Sequence, residues 1–395
     1  MSDVLISQAP PRAAGGLSAT LVLALGTFAV GTDAFVVAGF LPSMADDLHV
    51  SPATAGQSIT VFAAAYAVLS PVLATLLARL PRRTLLVRAL TVLGVANLAS
   101  ALAPGLAVLL AGRVLAAAGA AAYTPNAGAV SASLVRPELR ARALAVVIGG
   151  LTIATAIGVP LGNAASHWLG WRTALGLVAG LCLLVAAALR VIMPQVPGNA
   201  RVPLRTRLAV LRRPAVLTVL PLTVLGMGAS YTAYAYSVPV LDAVGVSEGS
   251  VPWMLVLYGL GAVAGNLAAG WATDRWGSTV VLTAGYGAMA AALGALAWLA
   301  AARSTVVPLV ALLVLLWGAA GWCQTPPQQH RLIEVAPQET PLVVSLNSSA
   351  IYAGIGLGTV LGGATLGSGA AVVYGLGAGI AAVALLFLRW SASRN

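Results

Sequence analysis

Long apolar runs follow one another along almost the whole chain, each ended by a short polar or proline- and glycine-marked break. A helix that crosses the hydrocarbon core of a bilayer needs about 20 mostly apolar residues. By that measure the pattern predicts spans near 18–41, 53–79, 84–103, 106–133, 141–166 and 172–192. A second set follows near 214–240, 251–273, 278–301, 304–329, 342–367 and 370–390. The first run carries no clear cleavage box and many more follow it, so it reads as a retained span and not a signal peptide. The most polar stretch, Gln195 to Arg213, lies between the two sets and holds Arg201, Arg205, Arg207, Arg212 and Arg213. The pattern therefore predicts an all-α membrane protein of twelve helices. Its N-terminal six-helix bundle is residues 1–193, its linker 194–213, and its C-terminal bundle 214–395.

Composition agrees with that reading. Only 8% of the residues are charged and 59% are hydrophobic, whereas a soluble domain carries roughly 25% charged residues. So few charges cannot cover a surface that faces water. The net charge of +11 comes from Arg alone, since the chain has no Lys. A basic chain can signal nucleic acid, but here the arginines sit mostly in short connections between apolar runs. With a cytoplasmic N-terminus, the cytoplasmic connections hold Arg79, Arg82 and Arg83, then Arg136, Arg140 and Arg142, then the linker, Arg275 and Arg331. The opposite connections hold Arg172 and Arg303 with the acids Asp46, Asp47, Asp242 and Glu248. This alternation predicts both termini on the cytoplasmic side of a bacterial inner membrane, and no nucleic-acid partner.

The two sets also resemble each other. Leu41-Pro42 followed by His49-Val50-Ser51 recurs as Val238-Pro239 followed by Gly245-Val246-Ser247. Arg79 then corresponds to Arg275, and Thr124-Pro125 to Thr325-Pro326. Parallel repeats of this kind mark transporters with a site at the repeat interface near the midplane.

Four local patterns carry a closer resemblance. The first is Gly31-Thr32-Asp33-Ala34-Phe35-Val36 through Leu41-Pro42, Ala45 and Val50-Ser51. The second, between spans 2 and 3, is Ala74-Thr75-Leu76-Leu77-Ala78-Arg79-Leu80-Pro81-Arg82-Arg83, with a second copy as Gly270-Trp271-Ala272-Thr273-Asp274-Arg275-Trp276-Gly277. The third is Leu110-Ala111-Gly112-Arg113 in span 4. The fourth is Gly149-Gly150 through Gly158-Val159-Pro160-Leu161-Gly162, followed by Gly170-Trp171-Arg172. Together these resemble the major facilitator superfamily, and within it the bacterial twelve-span drug:proton antiporters and the related sugar and purine efflux proteins. The family's loop between spans 2 and 3 reads roughly Gly-x-Leu-Ala-Asp-Arg-x-Gly-Arg-Arg, so Ala78 stands where the acid belongs. The resemblance implies a weakened latch in the first half and an intact one at Asp274-Arg275. The span 5 pattern resembles the antiporter motif and implies export; Gly158 and Gly162 permit close helix approach and Pro160 a bend.

An ionisable residue in mid-span costs roughly 2.5–3.5 kcal/mol on insertion scales and is a functional candidate by default. Asp33 is the only acid clearly inside an apolar span. Burial disfavours its charged form and a neighbouring cation favours it, which suits a carboxylate that alternates between proton and substrate; a structural ion pair is the competing role. Arg113 stays protonated and is its natural counter-charge, either tuning Asp33 or bracing neighbouring backbone. Counting from the proline anchors, Asp33 aligns with Ser230 and Arg113 with Val314, so proton chemistry belongs to the N-terminal half.

Candidate cavity residues are the mid-span phenols and amides Tyr66, Tyr123, Asn126, Tyr231, Tyr234, Gln324, Asn347 and Tyr352, which need hydrogen-bond partners in the membrane. Trp168, Trp171, Trp253 and Trp390 read as interfacial. No phosphate-binding loop, hydrolase motif or metal-ligand spacing occurs, and His49, His167 and His330 are dispersed. Cys182 and Cys323 both read as core residues. The sequence predicts no enzyme, cofactor or metal. It predicts a monomeric secondary transporter that exports a small molecule, such as a drug or natural product, in exchange for protons. Sugar or metabolite efflux, uniport and uptake symport are alternatives on the same fold.

Overall fold

The computed structural model of the chain describes residues 16–136, 139–198, 214–335 and 340–392. Arg201, Arg205, Arg207, Arg212 and Arg213 of the linker lie outside the described residues. Twelve helices are long and apolar enough to cross a membrane, and no strand occurs among the described residues.

Span 1 is Gly16–Asp47, longer than the pattern predicts, because Pro42 bends the helix without ending it. Proline lacks an N–H and crowds the carbonyl one turn back; the ladder opens at Phe40, whose backbone leaves the helical region. Span 2 is Pro52–Leu76, span 3 Arg82–Ala101, span 4 Leu106–Ser133 and span 6 Trp171–Ile192. Span 5 is composite: Arg140–Ile153, a π-helical turn at Ala154–Gly158, then Val159–Leu169. Span 7 runs as Pro214–Tyr234 and, after a break, Ser237–Asp242. Span 8 is Val251–Trp276, span 9 Ser278–Ala301, span 11 Thr340–Leu366 and span 12 Ala370–Ala392. Span 10 is Val307–Trp322 followed by Thr325–Val335.

The sequence repeat is a structural repeat. Span 7 breaks at Tyr236, just before Pro239, as span 1 bends just before Pro42. Both helices then end alike. Val50 N–H donates to the Ala45 carbonyl and Val246 N–H to the Leu241 carbonyl, each closing the last turn. The closure needs a left-handed residue, and His49 (φ 54°) supplies it in one half and Gly245 (φ 84°) in the other. Ser51 then caps span 2 by accepting from Thr54 N–H at 3.1 Å.

The halves meet toward the face that bears the 47–51 and 243–250 connections. At Gly363, an added Cβ would lie 3.6 Å from that of Ala53. Tyr236 packs between Gly56 of span 2 and Gly363 of span 11. Gly259 of span 8 abuts the span 5 backbone so closely that a Cβ there would sit 2.3 Å from the Ala156 Cα. Toward the arginine-rich face, the ends of spans 7, 10 and 11 instead form their own small core of Val216, Val219, Leu332, Val343 and Leu346.

Candidate functional site

Span 1 and span 4 bring the two mid-membrane charges together. Arg113 donates from Nη1 to Asp33 Oδ1 at 2.6 Å, and from Nη2 to the Asp33 backbone carbonyl at 3.3 Å. Both side chains are fully buried. The guanidinium lies over the Phe62 ring, 4.3 Å from its centroid, so one face is held by the ring's negative quadrupole. Asp33 Oδ2 and Arg113 Nε, both buried, have no hydrogen-bond partner among the described residues. The pair is thus hydrogen-bonded on one edge and leaves one buried atom of each partner unpartnered among the described residues.

The C-terminal half places a neutral contact at the corresponding point. The Trp317 indole N–H donates to Ser230 Oγ at 2.9 Å, and the Tyr258 hydroxyl lies 3.1 Å from the same oxygen. The sequence alignment puts Ser230 opposite Asp33, as found, but Val314 opposite Arg113; the residue that makes the contact, Trp317, is about one turn further along.

An aromatic layer joins the two contacts across the halves. Tyr66 of span 2 stacks on Tyr352 of span 11 with centroids 3.7 Å apart, and Phe62 packs against both. Phe35, two residues after Asp33, meets Tyr231 at 6.2 Å and Trp322 at 5.7 Å. The layer continues through Tyr234 to Tyr258, 4.5 Å apart, and on to Trp317. The Tyr234 hydroxyl is buried and unpartnered among the described residues. Of the eight candidate cavity residues, Tyr66, Tyr231, Tyr234 and Tyr352 meet here.

The other four serve contacts within their own halves. The Tyr123 hydroxyl donates to the Leu23 carbonyl at 3.1 Å and braces span 4 on span 1. Asn126 accepts from Arg82 at 2.8 Å and donates to the Ala122 carbonyl. Gln324 accepts from the Tyr286 hydroxyl and donates to the Gly321 carbonyl, each at 3.1 Å. Asn347 accepts from Thr223 at 3.0 Å. Phe35, Phe62, Tyr258 and Trp322 lie in the layer although the sequence reading did not count them among the cavity residues; Trp317 of span 10 lies there too.

The two repeated loops differ as their sequences do. Ala78 is buried and Arg79 exposed. Residues 193–198, the start of the linker, are docked on this loop. Arg82 N–H donates to the Val196 carbonyl at 2.8 Å, and the Arg83 guanidinium to the Met193 carbonyl at 3.3 Å. A Cβ at Gly198 would fall 2.4 Å from the Arg79 carbonyl, so only glycine allows this approach. In the second half Asp274 and Arg275 are exposed beyond Gly270. Asp274 forms no ion pair among the described residues, Arg275 lies 5.9 Å from the Trp271 ring centroid, and Gly277 (φ 82°) turns the chain into span 9.

In span 5, Gly158 lies against the Thr32 side chain and Gly162 against Val36, so span 1 packs tightly on the π-helical turn. Pro160 is buried just beyond that turn. An apolar crevice of about 190 Å³ opens beside them between spans 1, 5 and 6, lined among others by Phe28, Leu161 and Leu177. Trp168, Trp253 and Trp390 are exposed as interfacial residues would be, but Trp171 is buried. It donates to Asp47 at 3.2 Å, and Arg172 also binds Asp47 while stacking on the Trp171 ring. Cys323 is only partly buried. Among the described residues no three His, Cys, Asp or Glu side chains are placed to hold a metal ion.

Known proteins share this sequence pattern and arrangement. The Major Facilitator Superfamily profile matches residues 23–329 and 219–395. The inner membrane transport protein YdhP of Escherichia coli K12 is 34% identical over 378 residues, which is 95% of this chain and 96% of that one. A chloramphenicol resistance protein of Streptomyces lividans is 32% identical over 352 residues, 88% of each chain. A bacterial homologue of the human lysosomal transporter Spinster, crystallised inward-facing and occupied, shares the fold with a TM-score of 0.71. It is 18% identical, and the match covers 98% of this chain and 96% of that one. The chain belongs to the Major Facilitator Superfamily of membrane transporters.

Proposed function

We propose that this protein is a monomeric exporter of the bacterial inner membrane that moves a small molecule outward in exchange for protons. The observation that carries the reading is the Asp33–Arg113 pair, fully buried yet with Asp33 Oδ2 left without a partner. A buried ion pair is weak evidence for stability, because desolvating both charges offsets their attraction. Its use here is as a two-state element. Protonating Asp33 removes the charge that holds Arg113, and deprotonation restores it, so proton occupancy changes the span 1 to span 4 contact. Alternating access then rocks one half on the other around the midplane site.

Direction and orientation have their own support. With the arginine-rich connections cytoplasmic, the packing of Tyr236 between Gly56 and Gly363 falls toward the external side, which supports an inward-facing reading. A relative at 32% identity that bears the name chloramphenicol resistance protein favours export.

The test uses purified protein in proteoliposomes under an imposed pH gradient, with a panel of antibiotics, dyes and sugars. Wild type accumulates at least one compound when the gradient is present, and Asp33→Asn loses the gradient response while inserting normally. Full gradient-driven transport by Asp33→Asn would remove Asp33 from the coupling role.

A further inference from the structure

The charge balance of the site constrains its substrate. Asp33 and Arg113 are fully buried and paired, and the matching contact in the other half, Ser230 with Trp317 and Tyr258, is neutral. Among the described residues, only Arg82 is both charged and buried besides this pair, and it bonds Asn126 at the end of spans 3 and 4. The midplane therefore has no uncompensated negative charge when Asp33 is ionised. A cation entering it has two routes. It can share Asp33 with Arg113, which leaves two positive charges on one carboxylate in a dry site, or it can displace Arg113, which cannot shed its proton. Either route strands a buried charge, at a cost that hydrogen bonds alone do not offset.

The unpartnered atoms describe what the site does accept. Asp33 Oδ2 accepts a hydrogen bond, Arg113 Nε–H donates one, and the Tyr234 hydroxyl can do either; all three are buried. Phe35, Phe62, Tyr66, Tyr231 and Tyr352 form a layer of buried rings from both halves beside them, which a flat ring can join by stacking when the halves part. Phe62, on which the Arg113 guanidinium lies, packs against Tyr66 and Tyr352, which places the rings beside the pair.

We infer that the site takes an uncharged molecule carrying an aromatic ring and an amide or hydroxyl that both donates and accepts hydrogen bonds, and that it rejects permanent cations. This rests on the proton-exchange reading. It adds that each cycle carries one net positive charge inward, because Asp33 is the one acid at the midplane and the exported solute carries none.

The experiment is export from cells stripped of their own efflux pumps. The neutral probes are chloramphenicol and thiamphenicol; the permanent cations are ethidium and tetraphenylphosphonium. The expected result is that expression lowers accumulation of a neutral probe at least fivefold, a protonophore abolishes the effect, and neither cation changes by more than about 1.5-fold, the scatter expected when no contact is gained or lost. Export of either cation at a rate matching the neutral probes overturns the inference, as does export of none of the four. If cations leave in a protonophore-sensitive way, proton exchange stands and charge selection falls. If neutral probes leave but protonophore and Asp33→Asn have no effect, the exchange reading itself falls. Tyr234→Phe raises the half-saturating concentration of chloramphenicol about fivefold at unchanged maximal rate, the size expected for one hydrogen bond. A purely structural hydroxyl would lower the maximal rate or the amount of protein and leave half-saturation alone, and that outcome contradicts the assigned contact.

Discussion

The two halves of the molecule solve one packing problem in two ways. Each must hold its first helix against its fourth at the bilayer midplane. The C-terminal half does so with Ser230, Trp317 and Tyr258, a neutral cluster in which Ser230 Oγ accepts from the indole. The N-terminal half does so with a carboxylate and a guanidinium that leave one oxygen and one nitrogen unsatisfied. The neutral solution shows that the repeat needs no ion pair in order to pack. A charged pair at the equivalent place therefore does something other than hold the fold. Its unpartnered atoms and its place beside the cross-half aromatic layer support the transport role proposed for it.

The comparison can be broken most severely by removing one partner. Arg113→Leu leaves Asp33 buried without its counter-charge, which for a buried pair costs about 3–5 kcal/mol. Thermal unfolding in detergent should fall sharply, and gradient-driven transport should vanish. A variant that unfolds like wild type would show that Arg113 is not the partner on which Asp33 depends.

A smaller effect comes from the seam between the halves. Gly259→Val puts atoms where the Ala156 backbone stands 2.3 Å from an added Cβ, and overpacking of that kind costs about 1–3 kcal/mol. Because the strain falls only on the state in which spans 5 and 8 touch, the variant should shift toward the opposite-facing state. Cysteines introduced at Ala63 and Gly356, where an added Cβ meets that of Ala63 at 3.5 Å without a clash, should then crosslink more slowly than in the otherwise wild-type chain. Unchanged crosslinking would mean the seam does not open.

In the C-terminal half, Trp317→Phe removes one neutral hydrogen bond and should cost about 1 kcal/mol of stability without touching the proton response. A loss of gradient dependence in that variant would erase the distinction between the halves. The smallest effect belongs to the exposed pair on the face that bears the 47–51 connection. Arg172→Ala breaks the contact with Asp47, and exposed pairs are worth about 0.2–1 kcal/mol. A shift in unfolding temperature of no more than a few degrees is expected, and it should shrink further in high salt.

Much of this was legible in the sequence, for a physical reason. The bilayer allows only helices with internally paired backbones to cross it, so twelve long apolar runs state the architecture almost directly. A lone acid and a lone deeply placed arginine in apolar runs must find each other or water, and Asp33 and Arg113 do. The repeat was readable from Leu41-Pro42 and Val238-Pro239 because proline leaves the same backbone mark each time. The site's remainder was not readable. The spans are apolar nearly all round, so sequence does not say which way a given side chain points. Tyr123 carries the same phenol as Tyr234 and Tyr352, and Asn126, Gln324 and Asn347 carry amides that could equally face a cavity, yet all four bond to a backbone carbonyl or a neighbour in their own half. Val314, and not Trp317, was matched to Arg113 because an offset counted from proline anchors drifts by a turn when one span is kinked and its counterpart is broken. Trp171 was misplaced because its buried position follows from a hydrogen bond to Asp47, which is distant in sequence. The docking of residues 193–198 on the first-half loop involves no periodic pattern at all; it depends on a glycine, Gly198, that meets a carbonyl.

The central claim is that the ion pair serves coupling and not folding. The most direct measurement replaces it by a neutral pair of the same shape, Asp33→Asn with Arg113→Gln, and follows both unfolding temperature and pH-gradient-driven solute accumulation in proteoliposomes. The account predicts a variant that unfolds within a few degrees of wild type and no longer responds to the gradient. A variant that keeps gradient-driven accumulation, or that fails to fold while the Trp317→Phe protein folds normally, would contradict it.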